Sequence, residues 1–170
     1  MEVRPATPDD AEAIRAIYNH EVEHTTATFD LVPRSLGDQR SWLTARSGAF
    51  SAVVATPGDD AGTVVGFASL SPYKERAAYR TSVEDSVYVR EDQQGRGVGR
   101  FLLSYLHDVA SDSGFHAVFA RIEARGTASR WLHAACGFSL VGIEREVGRK
   151  FGRWLDVALM ECVLHERVRP

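Results

Sequence analysis

Val83 to Asp112 reads V-E-D-S-V-Y-V-R-E-D-Q-Q-G-R-G-V-G-R-F-L-L-S-Y-L-H-D-V-A-S-D, and this stretch decides the fold. Val83, Val87 and Val89, with Tyr88, supply the β-branched and aromatic residues of a short strand. Gly95, Gly97 and Gly99 follow and permit backbone conformations that a Cβ would block. Val98, Phe101, Leu102, Tyr105, Leu106 and Val109 then recur at the spacing of an α-helix with one apolar face. A helix that starts behind glycines turns backbone N–H groups outward, with the positive end of the macrodipole behind them. Such a start is a site for a phosphate or pyrophosphate.

Upstream, Val3 and Arg4 form a short extended stretch. Thr7-Pro8-Asp9-Asp10 opens a helix that buries Ile14, Ile17, Tyr18 and Val22 and lasts to about Glu23. His24 to Phe29 reads as a loop, and Ser35 to Arg46 as a second helix with Leu36, Trp42 and Leu43 inward. Phe50 to Ala55 and Thr63 to Leu70 alternate as strands around the turn Pro57-Gly58-Asp59-Asp60. Downstream, Phe115 to Ile122 is a strand, and a short helix from Thr127 or Ser129 ends at Gly137. Ser139 to Val147 and Trp154 to Leu164 are two strands around a K-F-G-R turn. The order β-α-α-β-β-β-α-β-α-β-β implies an α/β (or α+β) fold, a mixed sheet with helices on both faces.

The 170 residues favour one domain, residues 1–170, large enough for a full core without staples. A net charge of −3 argues against nucleic acid as the main partner. Cys136 and Cys162 are too few for a disulfide framework and have no ligand cluster around them, so no metal is expected. The chain shows no signal-peptide pattern and no apolar run of membrane-spanning length, and the expected compartment is the cytoplasm, with no membrane partner.

The glycine turn excludes two common phosphate loops. A Walker A loop needs Lys-Ser or Lys-Thr after its last glycine, where this chain has Arg100-Phe101. A dinucleotide fingerprint needs G-x-G-x-x-G, whereas the glycines here fall at 95, 97 and 99. What remains is Q-x-x-G-x-G, from Gln94, Gly97 and Gly99, which resembles the pyrophosphate motif of the GNAT superfamily of N-acetyltransferases. The strand Ser86-Val87-Tyr88-Val89 and the ending Ser129-x-x-Leu132-His133-x-x-x-Gly137-Phe138 agree with it. Y-K-E-R-A-A-Y-R-T-S-V-E-D-S-V-Y-V and K-F-G-R-W-L-D-V resemble one branch, the phosphinothricin and methionine sulfone/sulfoximine acetyltransferases. The resemblance runs from V-R-P-A-T-P-D-D to Asp156 and implies a mostly antiparallel sheet of about seven strands flanked by about four helices.

The resemblance implies acetyl-CoA as co-substrate, direct transfer to the primary amine of a small amino-acid-like acceptor, and a homodimer built near Phe151 to Trp154. Gln94, Gly95, Arg96, Gly97, Val98, Gly99 and Arg100 are the expected diphosphate cradle, and Val87, Tyr88 and Val89 the strand that meets the pantetheine arm. The superfamily's CoA-contacting Asn aligns with Gly126, so that contact is lost, supplied by a neighbour such as Thr127 or Ser129, or mediated by water. An amine that attacks a thioester must be neutral, so a general base is needed, and Glu84 is the expected one. Its flanking Val83 and Val87 would raise its pKa by enclosing it. Its other reading is a structural salt bridge to Arg80. His133 matches the position where many members carry a Tyr that protonates the departing thiolate; an ordinary helix hydrogen bond is the alternative. Lys74, Arg76, Tyr79 and Arg80 are expected to read the acceptor's anionic end, with Phe29 as a wall. Thr28, Lys150, Phe151 and Trp154 are further wall residues, although core or dimer packing suits Trp154 better. Two other functions stay open: acetylation of a peptide N-terminus or polyamine, and a non-catalytic acyl-CoA-binding module.

Overall fold

The computed structural model describes residues 1–60 and 62–164; the last six residues of the expected domain lie outside this range. Seven strands form one sheet: β1 (Glu2–Pro5), β2 (Val53–Thr56), β3 (Gly66–Pro72), β4 (Ser82–Val89), β5 (Ala117–Glu123), β6 (Ser139–Lys150) and β7 (Arg153–Val163). Their spatial order is β1-β2-β3-β4-β5-β7-β6, antiparallel throughout except for β4 beside β5. Four helices flank it: α1 (Ala11–His24), α2 (Leu36–Thr44), α3 (Val98–Asp112) and α4 (Thr127–Ala135).

Each helix lays its apolar stripe on one face of the sheet. Leu102, Leu103 and Leu106 of α3 are fully buried against Val53, Ala68, Val83, Val118 and Ala120. Ile14, Ile17, Tyr18 and Val22 of α1 cover the opposite face with Val54 and Phe67. Each such side chain contributes about 1.5–3 kcal/mol on burial. Local signals set the helix starts: the Thr7 N–H donates to Asp10 Oδ2 at 2.7 Å, and Ser35 and Asp38 exchange reciprocal bonds ahead of α2. The strand expected from Phe50 begins at Val53, because Gly48 to Phe50 closes a 3₁₀ turn through Ser51 N–H to Gly48 O.

The parallel pair fixes where a ligand can enter. β4 and β5 align only at Ser82 with Ala117, Val83 with Val118, and Glu84 with Phe119. Beyond Glu84 the strands diverge, since β5 continues its pairing with β7 through Glu123 while β4 stays on β3. The Tyr73 N–H donates to Ser82 O and the Arg90 N–H to Val65 O, so the even-numbered residues of β4 bond to β3. The odd-numbered backbone groups, Val87 and Val89 among them, therefore face the gap.

Candidate active site

The glycine turn borders this gap. Gly95 and Gly97 have φ of 73° and 83°, and Gly97 is the residue that caps α3. Positive φ is open to glycine at little steric cost, so the chain can reverse here and enter the helix at once. Among the described residues, the backbone N–H groups of residues 95–99 donate to no internal acceptor, while Arg100 and Phe101 already bond to Gly97 O. Gly99 has a different reason to lack a side chain. A Cβ there would stand 2.8 Å from Leu132 Cδ2, so its absence lets the first turn of α3 close on α4. The Gln94 side chain ties the turn back to β4 by donating to Val89 O at 3.2 Å. Arg96 and Arg100 are exposed beside the turn. These groups suit a diphosphate: outward N–H donors at a helix N-terminus, with two guanidinium groups at hand.

Two residues expected at the cofactor turn their side chains away from it. The Val98 side chain is buried in the core, so only its N–H faces an anion. Tyr88 bonds through its backbone to β3, and its ring stacks on Phe67 at 5.2 Å and meets Tyr18 edge-on, on the α1 face. Burial pushes its phenol pKa far up. Gly126 stands just before α4, where a Cβ would come within 3.0 Å of Glu123 O.

Alternation along β4 separates its two acids. Val83, Asp85, Val87 and Val89 point to the α3 face; Glu84, Ser86 and Tyr88 point to the other. The enclosure of Glu84 by Val83 and Val87 is thus corrected, because those valines flank Asp85. Glu84 is half-buried beside Phe119 of β5, and no hydrogen bond or ion pair reaches its carboxylate among the described residues. The salt bridge to Arg80 does not form. Burial raises the pKa of Glu84; Arg121 pulls it down, while Asp85 and Glu144 push it up.

His133 is corrected more sharply. It is buried from α4, its Nε2 3.2 Å from Asp85 Oδ1 and its Nδ1 2.7 Å from Ser129 O, and both side chains of the pair are 3% exposed. A neutral imidazole donates from one nitrogen only, so two acceptors call for imidazolium. Burial opposes that charge, but Asp85 and the Ser129 carbonyl outweigh it and hold the pKa above the ordinary histidine range. With both nitrogens engaged in the interior, His133 is no proton donor for a thiolate in the gap. Ser129 has given its carbonyl to this histidine and keeps its hydroxyl 3.4 Å from Nδ1.

On the Glu84 face an aromatic wall assembles from distant segments. Tyr73 stacks flat on Phe119 at 4.1 Å, and Tyr79 meets Tyr73 edge-on at 5.9 Å. Lys74 lies over both tyrosines. Arg76 and Arg80 are exposed around the 3₁₀ turn Ala77–Tyr79 that carries Tyr79. Phe29 packs its ring on Gly148 of β6, where a Cβ would collide with it. Lys150 is not a wall residue: its buried ammonium donates to Thr28 O at 2.8 Å and Glu21 O at 3.3 Å, fastening the Phe29 loop to β6. Desolvation lowers its pKa. Trp154 is exposed on the β6–β7 hairpin.

Sequence reasoning missed Asp85, Arg121 and Glu144. For Asp85 a signal existed, an acid in the apolar phase of the alternation Val83-x-Asp85-x-Val87. Arg121 likewise alternates with buried Ala120 and Ile122. Nothing local points to Glu144, which reaches Arg121 at 2.6 Å from a strand two places away.

No group of three or more His, Cys, Asp or Glu among the described residues could hold a metal ion, and no helix there is long and apolar enough to cross a membrane. A family model described as an acetyltransferase (GNAT) domain matches residues 3–159. The L-amino acid N-acyltransferase MnaT of Escherichia coli is 40% identical over 170 residues, covering 100% of this chain and 98% of that one. The L-methionine sulfoximine/L-methionine sulfone acetyltransferase of Pseudomonas paraeruginosa is 41% identical, covering 95% and 94%. A crystal structure of a GNAT superfamily phosphinothricin acetyltransferase from Sinorhizobium meliloti, in complex with acetyl-CoA, superposes with a TM-score of 0.89 at 35% identity, over 95% of this chain and 87% of that one. The split between β4 and β5, the glycine turn at its edge and these matches have one reading: the chain belongs to the GNAT acetyltransferase family.

Proposed function

We propose that the protein transfers an acetyl group from acetyl-CoA to the primary amine of a small amino-acid-like acceptor, of the phosphinothricin or methionine sulfone/sulfoximine kind. The observation that carries this reading is Glu84, an unpartnered, half-buried carboxylate of raised pKa at the point where β4 and β5 part. A base of this kind suits an ammonium group that must lose a proton before it can attack.

In this reading residues 95–99 hold the diphosphate by their N–H groups, with Arg96 and Arg100 in support. The donor supplies an activated thioester. The Val89 N–H, directed into the gap, stabilises negative charge on the thioester oxygen. Glu84 takes one proton from the acceptor ammonium, directly or through water, and passes it to solvent. The C–N bond forms as the C–S bond breaks, and the nitrogen's second proton ends, by way of solvent, on the departing sulfur. With His133 committed to Asp85, no side chain is needed for that last transfer.

Release of CoA thiol from acetyl-CoA, screened over phosphinothricin, methionine sulfone, methionine sulfoximine, common amino acids and polyamines, tests the reading. Turnover with the amino-acid analogues is expected, and Glu84→Gln should lose it while still binding acetyl-CoA. No release above background with any of the analogues sinks the proposed acceptor class.

We also propose a homodimer formed through β6, the last strand in the sheet. It exposes Leu140, Val141, Ile143 and Val147, continued by Phe151 and Trp154 on the hairpin. An edge strand this apolar is normally covered. Light scattering on eluting protein should give twice the 18.8 kDa chain mass. The cytoplasm is the proposed location, a reducing compartment in which Cys136 and Cys162 stay buried thiols.

A further inference from the structure

Arg121 belongs to no cofactor contact and to none of the acceptor residues named from the sequence. It lies on β5 two residues beyond Phe119, the register partner of Glu84, and alternation puts it on the Glu84 face. Burial raises the Glu84 pKa, and the charge of Arg121 is the next largest influence on it, pulling the other way. Arg121 is carried by the sheet itself, whereas Lys74, Arg76 and Arg80 stand on the exposed segment before β4.

Its present partner is Glu144 of β6, at 2.6 Å, and the two side chains are each 38% exposed. An ion pair this exposed is worth about 0–1 kcal/mol, so Arg121 can leave it at little cost. A carboxylate arriving beside Glu84 offers the guanidinium a planar, two-oxygen partner in a less hydrated place. An α-amino acid carries that carboxylate one carbon from its amine. Binding the first therefore sets the second against the neighbouring base.

We propose that Arg121 is a specificity-determining residue that reads the α-carboxylate of the acceptor, exchanging Glu144 for it and so presenting the amine to Glu84. This rests on the acetyltransferase reading above, and it moves carboxylate recognition from the 74–80 cluster to the sheet. The remaining cations are left to the acceptor's distal oxygens.

The test compares kcat/KM for methionine sulfone and for its primary carboxamide, in wild type and in Arg121→Gln, Glu144→Gln and Arg80→Gln. The acid-to-amide ratio is compared between variants, so the different basicity of the two amines cancels. Arg121→Gln should cut the ratio about ten- to a hundred-fold, as loss of a charged hydrogen-bonding partner implies, with the KM for acetyl-CoA unchanged. Glu144→Gln should act in the opposite direction, lowering the KM for the acid, because it releases Arg121. If Arg121→Gln leaves the ratio unaltered, or Arg80→Gln alone collapses it, the proposal falls. It also falls if Arg121→Gln and Glu144→Gln weaken the acid equally, since the pair would then be only a tie between β5 and β6. Should Arg121→Gln not fold, Arg121→Lys keeps the charge without the fork, and an unreduced ratio there overturns the proposal. Absence of wild-type turnover on both compounds refutes the acceptor class itself and Arg121's role with it, whereas turnover at a fixed ratio refutes Arg121 alone.

Discussion

The two ends of the proposed site are made of different material. The cofactor end is backbone: outward N–H groups at residues 95–99, a helix start, and one strand's odd-numbered amides. The acceptor end is side chain: Glu84 and Arg121 from two diverging strands, Tyr73 and Tyr79 from the segment before β4, and Phe29 from a loop fastened by Lys150. Backbone sites depend on where glycine is allowed and tolerate change around them. Side-chain sites depend on register and can be retuned one residue at a time. A family that keeps its donor and varies its acceptor is served by this division.

The hardest test of that division is Glu84→Gln. It should lower kcat by about 10²–10⁴-fold, the usual contribution of a positioned general base, yet leave the acetyl-CoA KM in place. Steady-state kinetics in both substrates reads this, and a parallel rise in acetyl-CoA KM would mean that the two ends are not separable.

Beneath both ends lies the Asp85–His133 pair, and His133→Ala probes it. Removing one partner leaves Asp85 buried without its counter-charge, with Oδ2 already lacking a hydrogen bond, which costs about 3–5 kcal/mol. Denaturant melts should show the loss. The pKa of His133 is raised on folding, so its contribution is fully present below the ordinary 6.5 and fades as pH rises through the folded value. The stability gap between wild type and variant should thus be wider at pH 6 than at pH 9; a gap widening with pH would contradict an imidazolium.

Gly99→Val tests the cofactor end through packing. The added atoms meet the end of the Leu132 side chain, and either that side chain or the first turn of α3 must shift, an overpacking cost of about 1–3 kcal/mol. Where the first turn of α3 shifts, the N–H groups proposed to hold the diphosphate move with it, so acetyl-CoA KM should rise with little change in the acceptor's KM; an unchanged acetyl-CoA KM would mean that Leu132 alone gives way.

What the sequence made legible follows the same line. Gly95, Gly97 and Gly99 announce themselves because few other residues can occupy those positions, and the strand-turn-helix around them was readable from residues 83–112 alone. Glu84 is readable only by resemblance, and the valines expected to enclose it belong to its neighbour: a period of two places Val83 and Val87 with Asp85. His133 was visible, but its burial against a strand 48 residues earlier was not. Glu144 reaches Arg121 across β7, and Lys150 ties down a loop 122 residues upstream. Contacts of that separation are products of sheet order, which no local pattern encodes.

The smallest expected effect is the most discriminating for the acceptor end. The acid limb of kcat/KM reports the free enzyme's base, and for Glu84 it should lie above the ordinary glutamate range because burial disfavours the carboxylate. Arg121 favours the ionised form, so Arg121→Gln should move that limb to higher pH. Glu144 disfavours it, so Glu144→Gln should move the limb lower. Opposite displacements from the two members of one ion pair require both charges to act on Glu84 itself. If the pair merely braced the sheet, the two variants would lose activity alike and leave the limb where it was. A pH series on wild type and the two variants, with one acceptor at low concentration, separates these outcomes.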